Sequence, residues 1–390
     1  MKKLFVLLLV TIPLIIQAQQ PVIIDHTFDD LSEIPLNWID SAKAKLFIGY
    51  GHTSHGSQII SGMDAIESYY TEGTYNWSHS GGEGELHLFE GSSYNDGYLD
   101  HDVGYSGWDD LTRTYLDSFP ECNVIIWSWC GQVNDVDLET HYFQRMEALE
   151  EAYPEVKFVY MTGHLEGGGP EGSLFQANQK IREYCDSNNK ILFDFTDIEK
   201  YSPDADTNYQ EYYVNDACDY QLPQGGTANW ANNWLEKNPD HLLTEISALC
   251  GGCAHSVSLN CLKKGIAAWY LWAILAGWEY NGISIEDTTT SPSDTSSNID
   301  SNQAYIQLTN FSDEISIYPV PFKNELYIEF NYESNKVAIE ILNLYGKLLY
   351  KNSYKNLGGV ICLSDLELQK GIYLLNIKSE QKTYCIKIIR

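Results

Sequence analysis

Residues 45–58 read KLFIGYGHTSHGSQ, and this stretch contains the transition that decides the fold. Its first six residues form a short, almost continuous apolar run, which is typical of a buried parallel strand. Gly51 and Gly56 then flank Ser54, and the chain continues toward a helix. A serine at such a strand-to-helix turn exposes its hydroxyl beside helix N–H groups, as in hydrolases with a serine nucleophile. Serine is also a common helix N-cap, so this segment alone leaves both roles open.

Three more apolar runs alternate with helical stretches along the first part of the chain. The runs that predict strands are Asn123–Trp127, Val156–Met161 and Lys190–Asp194. The helical stretches are 138–153, 172–187 and a final apolar one from about Leu262 to Trp278. This alternation predicts an α/β domain over residues 19–285, with a three-layer α/β/α arrangement around an open parallel sheet, as in flavodoxin-like folds. Functional sites in such sheets form at the carboxyl ends of the strands.

The ends of the chain carry export signals. Residues 1–18 combine Lys2 and Lys3 with an apolar run and a small residue before Gln19, which predicts a signal peptide. No later segment is long and apolar enough to predict a membrane span. Export makes disulfides the expected state of many of the nine cysteines. A zinc cluster of Cys250, Cys253, His255 and Cys261 is the alternative.

Charge and composition divide the chain in two. Residues 286–305 are rich in Ser, Thr and Asp and predict a linker. Of 390 residues, 24 are basic and 54 acidic, for a net charge of −30, yet residues 306–390 carry 10 basic and 9 acidic side chains. The acidity and all 10 histidines therefore belong to the first part, which is where chemistry is expected. A chain this acidic is not expected to bind nucleic acid.

Residues 306–390 predict a small β-sandwich of short alternating strands. Three motifs follow one another there: YPVPF at 318–322, LYGK at 344–347 and KGIY at 370–373. With the basic final strand, they resemble the C-terminal sorting domain of the Bacteroidetes type IX secretion system. The resemblance implies that the type IX machinery is a partner and that the protein passes through the periplasm and across the outer membrane. It also implies a secreted or surface-attached protein, from which the sorting domain is then removed.

Three further fragments of the first part carry functional groups. A glycine turn, DVGYSG, occupies residues 102–107 and can present a backbone N–H. WSWCGQVND at 127–135 follows a predicted strand and supplies amide side chains able to hold an oxyanion. CAHSVSLN at 253–260 precedes the last helix and supplies an imidazole. In this order, with the serine first, the domain resembles the SGNH (GDSL-like) hydrolase superfamily of esterases, lipases and carbohydrate deacetylases.

The resemblance implies a role for each matching residue. Ser54 is the nucleophile, His255 the general base, and Gly107 and Asn134 donate to the oxyanion beside the Ser54 amide. The chain departs from the family where Thr53 replaces an Asp and where an extra residue leaves Gln132 as an alternative donor. It also departs three residues before His255, where Gly252 replaces the expected carboxylate. The acceptor that orients His255 must then lie elsewhere, and Asp194 and Asp197 are candidates.

The remaining candidate residues are expected to touch the substrate. They are His52, His55, Gln132, His164 and Trp108. Trp77 and Trp230 join Trp108 as aromatic surfaces on which a sugar could stack, although core packing is the commoner role of a tryptophan. No metal site or cofactor is expected.

Together these residues predict a secreted carbohydrate esterase that removes acetyl or other acyl groups from a polysaccharide or oligosaccharide. Two other readings of the same fold stay open. The histidines and carboxylates are compatible with a polysaccharide lyase or a glycosidase. The missing carboxylate before His255 is compatible with a glycan-binding protein that has lost catalysis.

Overall fold

The computed structural model divides into two compact units, Met1–Ser291 and Pro292–Arg390. It describes residues 20–91, 99, 101–280 and 283 of the first unit. In the second it describes 309–312, 315–318, 325–343, 347–364, 366, 368, 372–379 and 383–389. The predicted signal peptide and linker lie outside the described residues.

The first unit is built on a seven-stranded sheet in which every neighbouring pair is parallel. The strands lie side by side in the order β1-β7-β6-β5-β2-β4-β3. They are β1 Val22–Ile24, β2 Phe47–Gly51, β3 Trp77–Ser78, β4 Leu86–Glu90, β5 Val124–Trp127, β6 Lys157–Met161 and β7 Ile191–Phe193. Strands β8 Asp219–Gln221 and β9 Thr227–Asn229 form a separate antiparallel pair. The predicted parallel α/β sheet is confirmed.

The four apolar runs of the sequence are strands of this sheet. Every residue of β2 and β5 is buried, which explains their continuous hydrophobicity. The strand limits differ from the predicted ones by one or two residues. Strands β1, β3 and β4 were not predicted; β3 has only two residues, and His87 and Glu90 interrupt the apolar pattern of β4.

Nine α-helices of the described chain surround or follow the sheet. They are α1 Leu36–Lys45, α2 Ser57–Tyr69, α3 Trp108–Ser118, α4 Gln144–Ala152, α5 Ser173–Ser187, α6 Phe195–Glu199, α7 Trp230–Lys237, α8 Leu242–Ser247 and α9 Ser258–Leu275. Helices α1, α2, α6, α7 and α8 pack against α9, α3 meets α4, and α5 contacts β6 and β7. A parallel sheet covered by helices is typical of an α/β domain.

Helix α9 is buried on all sides. Each of its residues after Ser258 is buried, including Lys263 and Lys264. A helix that is hydrophobic all round belongs in the core, and α9 fills that place among its neighbouring helices. It begins four residues before the predicted start, because Ser258–Cys261 adds a first turn.

Helices α2 and α9 cross at two glycines. A Cβ added to Gly62 would lie 2.0 Å from the Cys261 carbonyl oxygen, and one added to Gly265 would lie 2.4 Å from the Gly62 carbonyl carbon. Only glycine permits this approach of two backbones. The crossing fixes α2, which follows Ser54, against α9, which follows His255.

The second unit contains six antiparallel strands. They are β10 Thr309–Ser312, β11 Ile315–Tyr318, β12 Glu325–Asn343, β13 Leu348–Ser364, β14 Ile372–Ser379 and β15 Thr383–Ile389. Two predicted strands are joined in β12, whose first half pairs with β11 and whose second half pairs with β14. The β12–β13 register shifts between Phe330 and Ser334. The shift lies between the part of β12 that pairs with β11 and the part that pairs with β14. Most residues of the three sorting motifs lie outside the described residues.

Candidate active site

The candidate site lies where two neighbouring strands of the first unit end. Gly51, the last residue of β2, pairs with Trp127, the last residue of β5. The Ser128 N–H donates to the Gly51 carbonyl at 2.9 Å, so the segments that follow β2 and β5 leave the sheet side by side. The turn with Ser54 follows one strand, and Cys130 follows the other.

The turn that carries Ser54 is held tightly against the strand ends. Gly56 permits this, because an added Cβ would lie 2.3 Å from His52 Cβ and 2.4 Å from Ser128 Oγ. The buried Tyr50 hydroxyl donates to the Gly56 carbonyl at 2.9 Å, and the Ser57 N–H donates to the Thr53 carbonyl at 3.0 Å. Helix α2 therefore starts directly behind Ser54, whose side chain remains partly accessible.

His255 meets Ser54 across 201 residues of sequence. Its Nε2 lies 3.0 Å from Ser54 Oγ, as the nucleophile and base of a hydrolase must. His255 is exposed and adopts a left-handed backbone with φ of 62°, which costs a non-glycine residue conformational energy. The Cys253–Cys261 disulfide closes the loop around it.

A buried polar network supports the loop of His255 from below. The Gln58 amide donates to the Ala254 carbonyl at 2.6 Å. Lys264 Nζ donates to the oxygen of the same Gln58 side chain and, at 2.6 Å, to Glu199. Lys264 and Glu199 are both fully buried, so each charge depends on the other for compensation. The network connects α2, α6 and α9 to Ala254, the residue before His255.

A second histidine, His55, stands beside this pair. Its Nε2 lies 2.9 Å from Asp216 Oδ2, and its Nδ1 lies 3.1 Å from Cys130 Sγ. Its ring stacks between two others, at 3.6 Å from His164 and 4.4 Å from His255. The imidazole is thereby fixed on four sides.

These contacts shift the ionisation of the group. Burial lowers the pKa of His55, but the hydrogen bonds to Asp216 and Cys130 outweigh it and raise the pKa to about 9. The hydrogen bond with His55 lowers the pKa of Cys130 to about 7, against the opposing effect of burial. Burial raises the pKa of Asp216, yet its hydrogen bond with His55 holds the net value below the ordinary one. At neutral pH the cluster thus favours a charged imidazole between two acidic partners.

The proposed oxyanion donors lie in segments that reach the same edge of the sheet. Thr53 donates to Asp102 at 2.6 Å, which ties the serine turn to the turn that ends in Gly107. Gly107 has a φ of 86° and precedes α3. The Asn134 amide donates to Ser173 at 2.8 Å, and the Gln132 side chain accepts from the Cys130 N–H at 3.1 Å. The oxyanion roles of Gly107, Asn134 and Gln132 stay predictions.

Two of the predicted substrate contacts are corrected by burial. His52 is fully buried, with Nε2 at 2.7 Å from Glu90 and Nδ1 at 2.9 Å from the Thr53 carbonyl, so it supports the loop from behind. Trp108 is also fully buried, because it packs against Trp127 and Tyr142 in the core.

Trp230 is buried like Trp108 and offers no stacking surface, whereas Trp77 is partly buried. His164 reaches the site, as expected of a residue after β6, but there it packs on His55. Burial, followed by the neighbouring charge of His55, lowers the pKa of His164.

The carboxylate of the site was not found from the sequence. Asp194 instead binds Arg182 at 2.6 and 2.8 Å, and Asp197 pairs with His26 and Lys200. Neither is therefore available to His255. Asp216, which lies in the irregular chain between β7 and α7, supplies the carboxylate at this place, and no local pattern marks it.

Within the part of the chain that the structure describes, two groups of residues have the donor atoms of a metal site. Ligand atoms of His55, Asp216 and His255 lie within 4.8 Å of one another, as do those of Asp25, His26 and Asp197. In the first group, His55 and Asp216 already bind each other. The zinc alternative at Cys250, Cys253 and Cys261 is wrong, because Cys253 and Cys261 are joined in a disulfide.

Comparison with known families identifies the end of the chain. Residues 316–390 match the model of the secretion system C-terminal sorting domain. The type IX sorting domain expected there is confirmed, and the protein is exported across the outer membrane. No curated protein matches the chain. Among the helices of the described residues, none has both the length and the apolar character needed to cross a bilayer.

Solved structures give low overall similarity. A DUF3244 protein of Bacteroides vulgatus with an immunoglobulin-like β-sandwich is 15% identical, with a TM-score of 0.19, covering 22% of this chain and 95% of its own. An endo-β-1,4-mannanase double mutant of Cellulomonas fimi is 9% identical, with a TM-score of 0.23, covering 88% of this chain and 63% of its own. Similarities at this level do not bear on the site. The established result is an exported chain that ends in a sorting domain and carries an α/β unit before it.

Proposed function

We propose that the α/β unit is a serine esterase of the SGNH type that removes acetyl or other acyl groups from a polysaccharide or oligosaccharide. The observation that carries the proposal is the 3.0 Å contact between Ser54 Oγ and His255 Nε2. It joins a strand-to-helix turn to a loop 201 residues away, at the edge of the sheet where such sites form. The same contact argues against the reading in which the scaffold only binds glycans.

In the proposed reaction, His255 takes the proton of Ser54 as the oxygen attacks the ester carbonyl. N–H groups at the start of α2, with Gly107 and Asn134, hold the negative oxygen of the tetrahedral intermediate. His255 then gives this proton to the sugar oxygen as the ester C–O bond breaks, and the sugar leaves as a hydroxyl. A water molecule, deprotonated by the same imidazole, attacks the acyl carbon; the bond to Ser54 breaks, the carboxylic acid leaves, and His255 returns the proton to Ser54 Oγ.

Asp216 is the carboxylate that supports the base. It lies within 4.8 Å of a ligand nitrogen of both His55 and His255, and it keeps a negative charge at neutral pH. A negative charge at that distance stabilises the imidazolium that forms when His255 accepts the proton. It replaces the carboxylate that the sequence lacks three residues before His255.

The substrate class rests on the export route and on the surface near the site. With Trp108 and Trp230 buried, the exposed aromatic of the oxyanion turn is Tyr105, which is 64% accessible. Its hydroxyl donates to Asp135 at 3.3 Å, which leaves a ring face for a sugar between the two loops. The net charge of −30 favours a neutral acylated glycan over a sulfated one.

The test is the Ser54→Ala variant of the full chain, assayed on p-nitrophenyl acetate and on acetylated xylan. We expect the rate to fall by about 10⁴-fold, because removal of the nucleophile leaves only binding and oxyanion stabilisation. A fluorophosphonate should modify the Ser54 peptide in the wild-type protein.

Ser61→Ala, on the second turn of α2, is the matched control and should keep wild-type turnover. Equal rates for Ser54→Ala and Ser61→Ala, or fluorophosphonate attached to another serine, would contradict the proposal.

A further inference from the structure

Cys130 is a half-buried thiol that the proposed esterase mechanism does not use. It follows β5 directly, and its sulfur lies 3.7 Å from Ser54 Oγ. The two potential nucleophiles thus face the same space. A substrate carbonyl that Ser54 Oγ can reach is therefore also within reach of Cys130 Sγ.

The Cys130 sulfur is the first of three groups linked by hydrogen bonds, a thiol, an imidazole and a carboxylate. Cys130 Sγ lies 3.1 Å from His55 Nδ1, and Asp216 Oδ2 lies 2.9 Å from His55 Nε2. A nucleophile, a base and an orienting carboxylate stand in this order in thiol hydrolases as well as in serine hydrolases. The stacked rings of His164 and His255 prevent the imidazole of His55 from turning away.

Charge supports the same arrangement. The groups that face His55 and Cys130 are Asp216 and Glu199, which favour a positive imidazole, and His164 and His255, which are imidazoles themselves. The hydrogen bond with His55 lowers the pKa of Cys130 to about 7, whereas burial raises the pKa of Cys122 and Cys218 to about 12. The thiolate is the reactive form of a cysteine, so Cys130 differs in kind from those buried thiols.

We propose that Cys130, His55 and Asp216 form a second nucleophilic relay in this pocket, which accepts acyl groups from thioesters. The proposal does not depend on Ser54 as a nucleophile. It assigns a thiol site to a pocket in which the sequence pattern indicates only a serine.

The chemical step balances with water as the co-reactant. The Cys130 thiolate attacks the carbonyl carbon of the thioester and forms a C–S bond, and the bond from that carbon to the leaving sulfur breaks with its electron pair. The proton on His55 passes to the leaving sulfur. A water molecule, deprotonated by the now neutral His55, then attacks the carbonyl carbon of the acylated Cys130. The C–S bond breaks, the carboxylic acid leaves, and the thiolate and the imidazolium are restored.

The first experiment measures alkylation of each cysteine by iodoacetamide in the full-length Ser54→Ala protein, with peptides resolved by mass spectrometry. Cys362 is exposed and serves as an internal reference in the same chain. We expect Cys130 to react at least about 10-fold faster than Cys362 at pH 7, with a midpoint near pH 7. His55→Asn should abolish this advantage and move the midpoint upward.

The second experiment exposes the same Ser54→Ala protein to phenyl thioacetate. We expect one acetyl group on Cys130, and its loss in Cys130→Ala and in His55→Asn. Alkylation of Cys130 no faster than that of Cys362, an unchanged midpoint in His55→Asn, or acetylation confined to other residues would overturn the proposal.

If His55→Asn misfolds, iodoacetamide will alkylate the buried Cys122. In that case the pH midpoint of Cys130 alkylation in Asp216→Asn is the test of the proposal. The proposal requires the midpoint of Cys130 to rise in Asp216→Asn, and an unchanged midpoint there would overturn it. Fluorophosphonate labelling of Ser54 is measured separately, so failure of the esterase proposal and failure of the thiol relay give different results.

Discussion

Two parallel imidazoles, His255 and His55, stand 4.4 Å apart in one pocket and differ in almost every other respect. His255 is exposed on a loop, adopts a strained backbone and contacts the serine. His55 is 7% accessible, lies between two other histidines and binds both a thiol and a carboxylate.

In the proposed esterase, the histidine that acts as base for Ser54 is therefore not the one with the strongest acidic partner. Asp216 raises the pKa of His55 to about 9, so His55 is a poor proton acceptor at neutral pH and a good partner for a thiolate. A general base must lie within hydrogen-bonding distance of the proton that it takes, and His255 meets that requirement, with Nε2 at 3.0 Å from Ser54 Oγ.

The largest expected effect separates the two histidines by activity. His255→Ala should lower ester turnover by about 10³- to 10⁴-fold, because the imidazole that takes the proton of Ser54 in the proposed reaction is then removed. His164→Ala, which removes the other ring stacked on His55, is the matched control and should cost less than about 10-fold. Comparable losses of p-nitrophenyl acetate turnover in the two variants would contradict the proposal that His255 is the base for Ser54.

The next effect tests what holds the loop of His255. Lys264→Met leaves Glu199 as an uncompensated buried charge and should lower the free energy of unfolding by about 3–5 kcal/mol. It should also weaken the Gln58 contact that fixes Ala254. Lys190→Met removes a more exposed pair with Glu150 and should cost about 0–1 kcal/mol. Urea unfolding measures both, and equal midpoints would show that the buried network does not stabilise this loop.

The smallest effect is a pH dependence of stability. In Asp216→Asn the melting temperature should fall by about 3–6 °C, since a hydrogen bond to a charged group contributes about 1.5–3 kcal/mol. The pKa of His55 is raised from 6.5 to about 9, so this stabilisation is complete below pH 6.5 and disappears as the pH rises through about 9. The pKa of Asp216 is lowered from 3.8, so the stabilisation also disappears at lower pH, as the carboxylate is protonated.

Scanning calorimetry from pH 3 to pH 10 measures the difference between wild-type and variant. Asp186→Asn, at an exposed position of α5, is the control and should show a flat profile. A wild-type advantage that persisted above about pH 10 would contradict the assignment of a charged pair.

The sequence predicted the parallel sheet because buried strands such as β2 and β5 require continuous apolar runs, which are visible locally. It also indicated Ser54 and His255, because each lies in a short motif next to a helix. The structure adds that they meet, a contact that no local pattern can express. The antiparallel second unit and the sorting domain were equally predictable, since both depend on local alternation and motifs.

Other features escaped because they depend on distant parts of the chain. Asp216 reaches His55 from an irregular segment, and its neighbours in sequence resemble any polar loop. Nothing in the sequence distinguishes Cys130 from the other eight cysteines, and its contact with the His55 imidazole is visible only in the structure. Trp108 was assigned to a surface because it follows a glycine turn, but its position as the first residue of α3 turns the ring into the core.

The crossing of Gly62 and Gly265 has a mechanical consequence for the nucleophile and its base. From that crossing the helices run back about 7.5 Å to the start of α2 and about 10.5 Å to the start of α9, at 1.5 Å per residue. If α9 tilted by about 5° about this contact, its first residue would move by about 0.9 Å. A displacement of that size exceeds the tolerance of a 3.0 Å hydrogen bond. The close contact between Gly62 and Gly265 therefore maintains the alignment of Ser54 Oγ with His255 Nε2.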